Sequence, residues 1–112
     1  MNSDKEERFM NDNIIETTND ELEIGRWGEA WQRFMQENYP TESAELMNTE
    51  RWDELALEVE REALNMWELL RRQYAKANPR PTDFMETVKW ENTRGFYIDH
   101  EIMEQIVLQF RT

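Results

Sequence analysis

Histidine, aspartate and glutamate are the side chains here that could catalyse a reaction or hold a metal ion, and their spacing argues against both. The one histidine, His100, lies between Asp99 and Glu101. Consecutive residues of a helix point about 100° apart, so these three side chains cannot converge on one proton or one ion. Cysteine is absent, and no His-x-x-x-His or Glu-x-x-His pair occurs, which removes the usual ligand sets of zinc and di-metal carboxylate sites. We expect no enzymatic activity, no metal and no cofactor, with His100 solvated or capping a helix.

Two glycines, Gly25 and Gly28, superficially resemble a phosphate-binding loop. Glu21, Glu23 and Glu29 surround them and would repel phosphate, and no Lys-Ser or Lys-Thr pair follows. We expect these glycines to permit a turn and close helix packing.

Charge is distributed unevenly along the chain. Residues 1–70 contain 19 of the 25 Asp and Glu but only six of the 13 Lys and Arg, and so carry a formal charge of −13. A field of that sign repels nucleic acid and lipid headgroups and attracts cationic surfaces. The expected partner is a basic protein surface, such as a nucleic-acid-processing complex, bound stoichiometrically.

The carboxylates expected to face that partner lie on one long helix. Their arrangement allows two readings: a nucleic-acid mimic that occupies the groove of a basic protein, as an inhibitor of the anti-CRISPR kind would, or an acidic face that is only solvated. An acidic adaptor without mimicry is equally compatible with the sequence. The candidate contact residues are Asp53, Glu54, Glu58, Glu60, Glu62 and Glu68.

Two smaller features suggest other contacts. Leu57 and Leu64 are seven residues apart, about 120° to 140° from the main apolar direction of that helix. They are covered either within the chain or by a second copy in a homodimer. Residues 71–94 have a net charge of +3, which permits weak DNA binding but is also explained by ion pairs with the acidic helices. The candidate DNA contacts are Arg71, Arg72, Lys76 and Arg80.

The elements that carry these residues are predicted to be helices in an all-α, single-domain bundle. The chain length suits one domain, and the scarcity of Gly and Pro favours long regular elements. We expect an acidic arm over residues 1–22 and four to five helices over residues 23–112, around one long helix from Glu50 to about Ala77. No apolar run is long enough for a membrane span, and the N-terminus is too polar for a signal peptide. With cysteine absent, this favours the cytoplasm. The predicted core contains Trp27, Trp31, Phe34, Trp52, Val59, Met66, Trp67 and Leu70.

Helix ends and shorter helices are predicted from local signals. Thr41 is expected to cap a short helix that buries Leu46 and Met47, and the prolines at 79 and 81 should end the long helix. Thr82 is expected to cap the next helix, which we predict Gly95 breaks or kinks.

The last two helices have predicted inward faces. The helix after Thr82 should carry Phe84, Val88 and Trp90 towards the core. Apolar residues spaced four apart then predict a terminal helix. The spaced residues are Ile98, Ile102, Ile106 and Phe110, with Met103 and Val107 beside them.

The segment from Ile24 onward resembles the TnpV proteins, which are encoded by bacterial transposons and related mobile elements. The similarity lies in glycine, aromatic and core positions and covers about four-fifths of the chain. It implies a mobile-element origin and a helical fold, and it brings no catalytic signature. The resembling stretches are Ile24-Gly25-Arg26-Trp27-Gly28, Glu37-Asn38-Tyr39-Pro40, the long helix through Val59 and Ala63, residues 82–90, and Glu104-Gln105-Ile106-Val107.

Overall fold

The computed structural model describes residues 22–112, which form four α-helices and one π-helical turn. Helix α1 spans Arg26–Asn38, α2 spans Pro40–Met47, α3 spans Arg51–Ala77 and α4 spans Phe84–Ile102, and the π-helical turn is Met103–Val107. The described part of the chain contains no strand, so the all-α prediction is confirmed. None of its helices combines the length and apolarity that crossing a membrane requires.

Helix α3 is the central element: α1, α2, α4 and the π-helical turn all pack against it. Its 27 residues make a helix of about 40 Å. Its buried residues Leu55, Ala56, Val59 and Ala63 recur at helical spacing along one face. Of the eight predicted core residues, Trp27, Trp31 and Val59 are buried as predicted. The other five are only partly buried and pack around the core: Phe34, Trp52, Met66, Trp67 and Leu70.

Helix α2 begins one residue earlier than its predicted cap. Pro40 occupies the first turn, where its missing N–H costs no hydrogen bond, and Tyr39 precedes it as the N-cap without a side-chain cap. Thr41 therefore lies inside the helix, and its predicted capping role is wrong. Met47 is 43% exposed rather than buried.

Helix α4 is capped by Asp83, whose carboxylate accepts the backbone N–H of Glu86 at 3.1 Å. The prediction of Thr82 as cap was wrong by one residue. Phe84 and Val88 were predicted to point inward and are exposed, whereas Trp90 is buried as predicted.

Gly95 does not break α4, which continues to Ile102. A helical glycine costs only about 1 kcal/mol relative to alanine. Burial of Ile98 and Ile102 in the common core outweighs that cost.

The predicted terminal helix is not a separate element: Ile98 and Ile102 belong to α4, and only the π-helical turn Met103–Val107 follows. The N–H of Leu108 donates to the carbonyl of Met103 at 2.9 Å, a bond across five residues that defines the π-helical turn. Ile106 and Val107 are both buried there. Phe110 lies beyond the turn, is 46% exposed, and packs edge-on against Tyr39 with ring centroids 4.7 Å apart.

Candidate interaction surfaces

The N-terminus of α1 is held by a carboxylate from α3. Oε1 of Glu60 accepts the backbone N–H of Gly25 at 2.9 Å and that of Gly28 at 2.8 Å. Gly25 is the N-cap of α1 and Gly28 lies in its first turn, where backbone N–H groups lack helical partners and the helix dipole favours negative charge. Glu60 is only 5% exposed. Its prediction as a partner-binding residue is therefore corrected, because this carboxylate bonds α1 to α3 inside the protein.

Gly28 is required by the close approach of the same two helices. A Cβ at Gly28 would lie 2.7 Å from the backbone oxygen of Ala56. This confirms that the glycines serve helix packing. Glu60 already occupies the N–H groups that a phosphate would need.

Glu62 and Glu58, two of the predicted contact residues of α3, are neutralised by arginines of the same chain. Arg111 donates to both carboxylate oxygens of Glu62, at 2.8 and 3.1 Å. These hydrogen bonds lower the pKa of the Glu62 carboxyl, with burial opposing and the charges of Arg111 and Arg61 reinforcing the shift. Glu58 lies 3.4 Å from Arg51.

Glu68, further along α3, is neutralised in the same way. Arg71 lies 3.1 Å and Arg72 3.7 Å from its carboxylate. The hydrogen bond from Arg71 lowers the pKa of Glu68, opposed by desolvation and aided by the charges of both arginines. The sequence also allowed the cations of residues 71–94 to form ion pairs within the chain, and Arg71 and Arg72 do so.

A second group of carboxylates, where α2 meets α3, has few cations near it among the described residues. We call Glu45, Glu50, Asp53 and Glu54 the acidic corner; all four are exposed. Within residues 22–112, no Lys or Arg lies at ion-pair distance from the first three of these. Glu54 has a long contact with Arg51, at 3.7 Å, and its side chain is 57% exposed. Two of the six predicted contact residues, Asp53 and Glu54, thus lie in this corner.

The predicted cationic segment is mostly paired with acids or stacked on aromatic rings. Arg80 donates to Glu91 at 2.7 Å, and the guanidinium groups of Arg80 and Arg94 lie 5.3 and 4.7 Å from the ring centroid of Trp90. Lys76 is exposed at the end of α3. The four predicted DNA-contact residues therefore do not form one surface of unpaired positive charge: Arg71, Arg72, Lys76 and Arg80.

The predicted self-association residues Leu57 and Leu64 are at least partly exposed, and so is His100. Leu57 is half-buried and Leu64 is 37% exposed. His100 is exposed, while Asp99 pairs with Arg26 at 2.7 Å. Among the described residues, no group of three or more His, Asp or Glu side chains could hold a metal ion.

Sequence reasoning named Glu60 only as a partner contact and did not name Arg111, and both residues form hydrogen bonds across long separations in the chain. A signal for Glu60 was present: it lies four residues after Ala56 and three before Ala63, which places it beside small residues on the face that receives another helix. Arg111 had no such signal. It lies outside any helix, and its partner Glu62 is 49 residues earlier in the chain.

These features define a helical protein. Over the described residues, some carboxylates pair within the chain and others form the exposed acidic corner. The sequence model of the family described as transposon-encoded protein TnpV matches residues 4–109, and the chain belongs to this family. No curated protein and no solved structure matches it.

Proposed function

We propose that this transposon-encoded protein acts without catalysis, by binding the basic surface of a nucleic-acid-processing protein through its acidic corner. The observation that carries the proposal is the contrast between two sets of carboxylates. Glu58, Glu62 and Glu68 are compensated by arginines, whereas the acidic corner presents exposed carboxylates almost without cations. A partner's Lys and Arg side chains can supply the missing charge there.

The charge of the whole chain supports the same surface. Its formal net charge is −12, so a cationic partner is attracted from a distance and an anionic one is repelled. Complementary charge of this kind raises the association rate and excludes wrong partners more than it raises affinity. The proposed contact therefore forms fast and is sensitive to salt.

Groove-filling mimicry of nucleic acid is the more specific form of this proposal and receives less support. A mimic needs a row of carboxylates along α3 free to replace phosphates, and three of the six predicted members are tied to arginines. Another member, Glu60, is buried. We therefore propose docking by the acidic corner, in an adaptor or inhibitor, without a phosphate-like row.

The alternative of weak DNA binding through residues 71–94 is also less favoured. Affinity for DNA grows with the number of phosphates that free cations neutralise. Arg71, Arg72 and Arg80 are already paired with acids, so binding DNA requires those pairs to break.

Quantitative affinity capture from cells that carry the element tests the proposal. Tagged wild-type protein is compared with Glu45→Lys/Glu50→Lys. A matched variant, Glu101→Lys/Glu104→Lys, makes the same change in charge at the end of α4 and in the π-helical turn. We expect one basic nucleic-acid-binding protein to be captured by the wild type and the matched variant and to be lost with the corner variant. Equal capture by all three proteins contradicts the acidic corner as the contact.

A further inference from the structure

Helix α4 carries an apolar stripe that the rest of residues 22–112 leaves exposed. Met85, Val88 and Phe96 lie on one face at helical spacing, with Phe84 at its edge, and their exposures are 61%, 37%, 78% and 76%. This face is about 120° away from the buried face of α4 at Trp90, Ile98 and Ile102. Exposed apolar side chains grouped in this way mark an interaction surface more often than a solvated one.

Gly95 lies on the same stripe, and no contact among the described residues requires a glycine there. It is in the interior of α4, and a Cβ there would meet nothing within 4 Å. The backbone therefore gains no packing from the missing side chain, while the helix loses about 1 kcal/mol relative to alanine. What the glycine does provide is an open recess beside Phe96.

The rim of the stripe is electrically neutral, unlike the rest of the molecule. Lys89 lies 3.7 Å from Glu86 on one side, and Arg80 lies 2.7 Å from Glu91 on the other. Residues 1–70 carry −13, so two copies meeting through that part of the chain would repel each other. The stripe of α4 is a surface where they can meet without opposing charge.

We propose that a second copy of this chain covers the stripe, with the two α4 helices packed antiparallel about a twofold axis close to residue 90. Such an axis brings like edges of the two stripes together. Phe84 and Gly95 share one edge, so each Phe84 covers the partner's Gly95. Met85 and Phe96 share the other edge and meet in the same reciprocal way. Every contact is made twice, as an isologous interface requires.

The size of the stripe sets the strength expected of this dimer. A fully buried aromatic side chain contributes about 150 to 250 Å², and a standard interface buries about 800 Å² per partner. Two phenylalanines, a methionine and a valine supply about half of that area. The dimer should therefore dissociate on dilution. It does not depend on the acidic corner, and loss of partner binding would leave it intact.

Sedimentation velocity over a range of concentrations tests the proposal. Wild-type protein should shift from monomer to dimer with rising concentration, and added salt should preserve the dimer because its contacts are apolar. Phe96→Glu should weaken dimerisation at least tenfold. Gly95→Leu should do the same while leaving the monomer folded, since the position is open in the monomer.

Two control variants on α3 make the result specific. Leu69→Glu changes an apolar residue that is 50% exposed, and Leu64→Glu changes the predicted leucine line; neither should alter the dimer. The chain has no cysteine, so Asn92→Cys adds a single thiol near the proposed axis, and a short bis-maleimide should link two copies. A monomer at every concentration up to about 0.5 mM, or a dimer that survives Phe96→Glu and Gly95→Leu, overturns the proposal. So does a dimer broken by Leu64→Glu.

Discussion

The backbone N–H of Gly28 in α1 donates a hydrogen bond of 2.8 Å to the carboxylate of Glu60, which is buried in α3. The backbone N–H of Gly25 donates to the same carboxylate oxygen. The bond exists because Gly28 lets the helices approach until a side-chain oxygen of one reaches the backbone of the other. This contact holds the N-terminal end of α1 against α3.

Replacing Glu60 by alanine should destabilise the protein strongly. The change leaves the N–H groups of Gly25 and Gly28 without their acceptor, at a cost of about 1 to 3 kcal/mol for each group that stays buried. Glu60→Gln keeps a carbonyl acceptor and should cost less. Urea denaturation measures both, with Glu29→Ala, an exposed position on α1, as the control. A free energy of unfolding for Glu60→Ala equal to that of the control would disprove the role of this bond.

The glycines of α1 and α4 should respond in opposite directions to alanine. At Gly28 the new methyl group meets a backbone oxygen at 2.7 Å, and overpacking of this kind costs about 1 to 3 kcal/mol. At Gly95 nothing lies within reach, so the higher helix propensity of alanine should stabilise the monomer by up to about 1 kcal/mol. Thermal unfolding of dilute protein compares the two variants, and destabilisation of both by a similar amount is the contrary result.

The Glu62–Arg111 pair predicts a pH dependence of stability. Because the folded state lowers the pKa of Glu62 below its ordinary value of 4.5, the pair stabilises the protein above that pH and stops doing so as acid protonates the carboxylate. Arg111→Met should therefore be less stable than wild type at neutral pH, and the difference should shrink below pH 4.5. Urea denaturation at both pH values measures it. Arg33→Met, at an exposed cation, provides the comparison, and a difference for Arg111→Met that stays constant in acid contradicts the prediction.

Trp31 and Trp67, two of the four tryptophans predicted to be in the core, should differ in the stability lost on replacement by alanine. Trp31 is fully buried and donates through Nε1 to the carbonyl of Gln109 at 3.0 Å, so Trp31→Ala should cost about 3 to 5 kcal/mol. Trp67 is only partly buried, and Trp67→Ala should cost less. Chemical denaturation ranks them. The reverse order would mean that the register of α1 against α3 is wrong.

The fold was predictable from sequence wherever a helix buries a continuous stripe. The spacing from Trp52 to Leu70 determined α3, because one face of a long helix must point to the core at every turn. Helix α4 departed from this logic. Phe84 and Val88 are apolar and yet exposed, and a periodicity argument assigns any apolar residue to the interior.

The candidate interaction surface was less predictable, because a sequence does not show which charged side chains pair in the folded chain. Glu58 and Glu62 looked equivalent to Glu54 along α3. Arg51 and Arg111 make the difference, and Arg111 reaches α3 from 49 residues away. Only the folded chain separates compensated carboxylates from the acidic corner.

Association kinetics with the captured partner test the central proposal most directly. The rate constant for the wild type should fall steeply as salt rises from about 0.05 to about 0.3 M, because steering between exposed charges is screened over about 10 Å at 0.1 M. Glu45→Lys/Glu50→Lys should associate at least tenfold more slowly at low salt, and Glu101→Lys/Glu104→Lys should remain close to wild type. An association rate that is insensitive to salt and equal in all three proteins would contradict binding through the acidic corner.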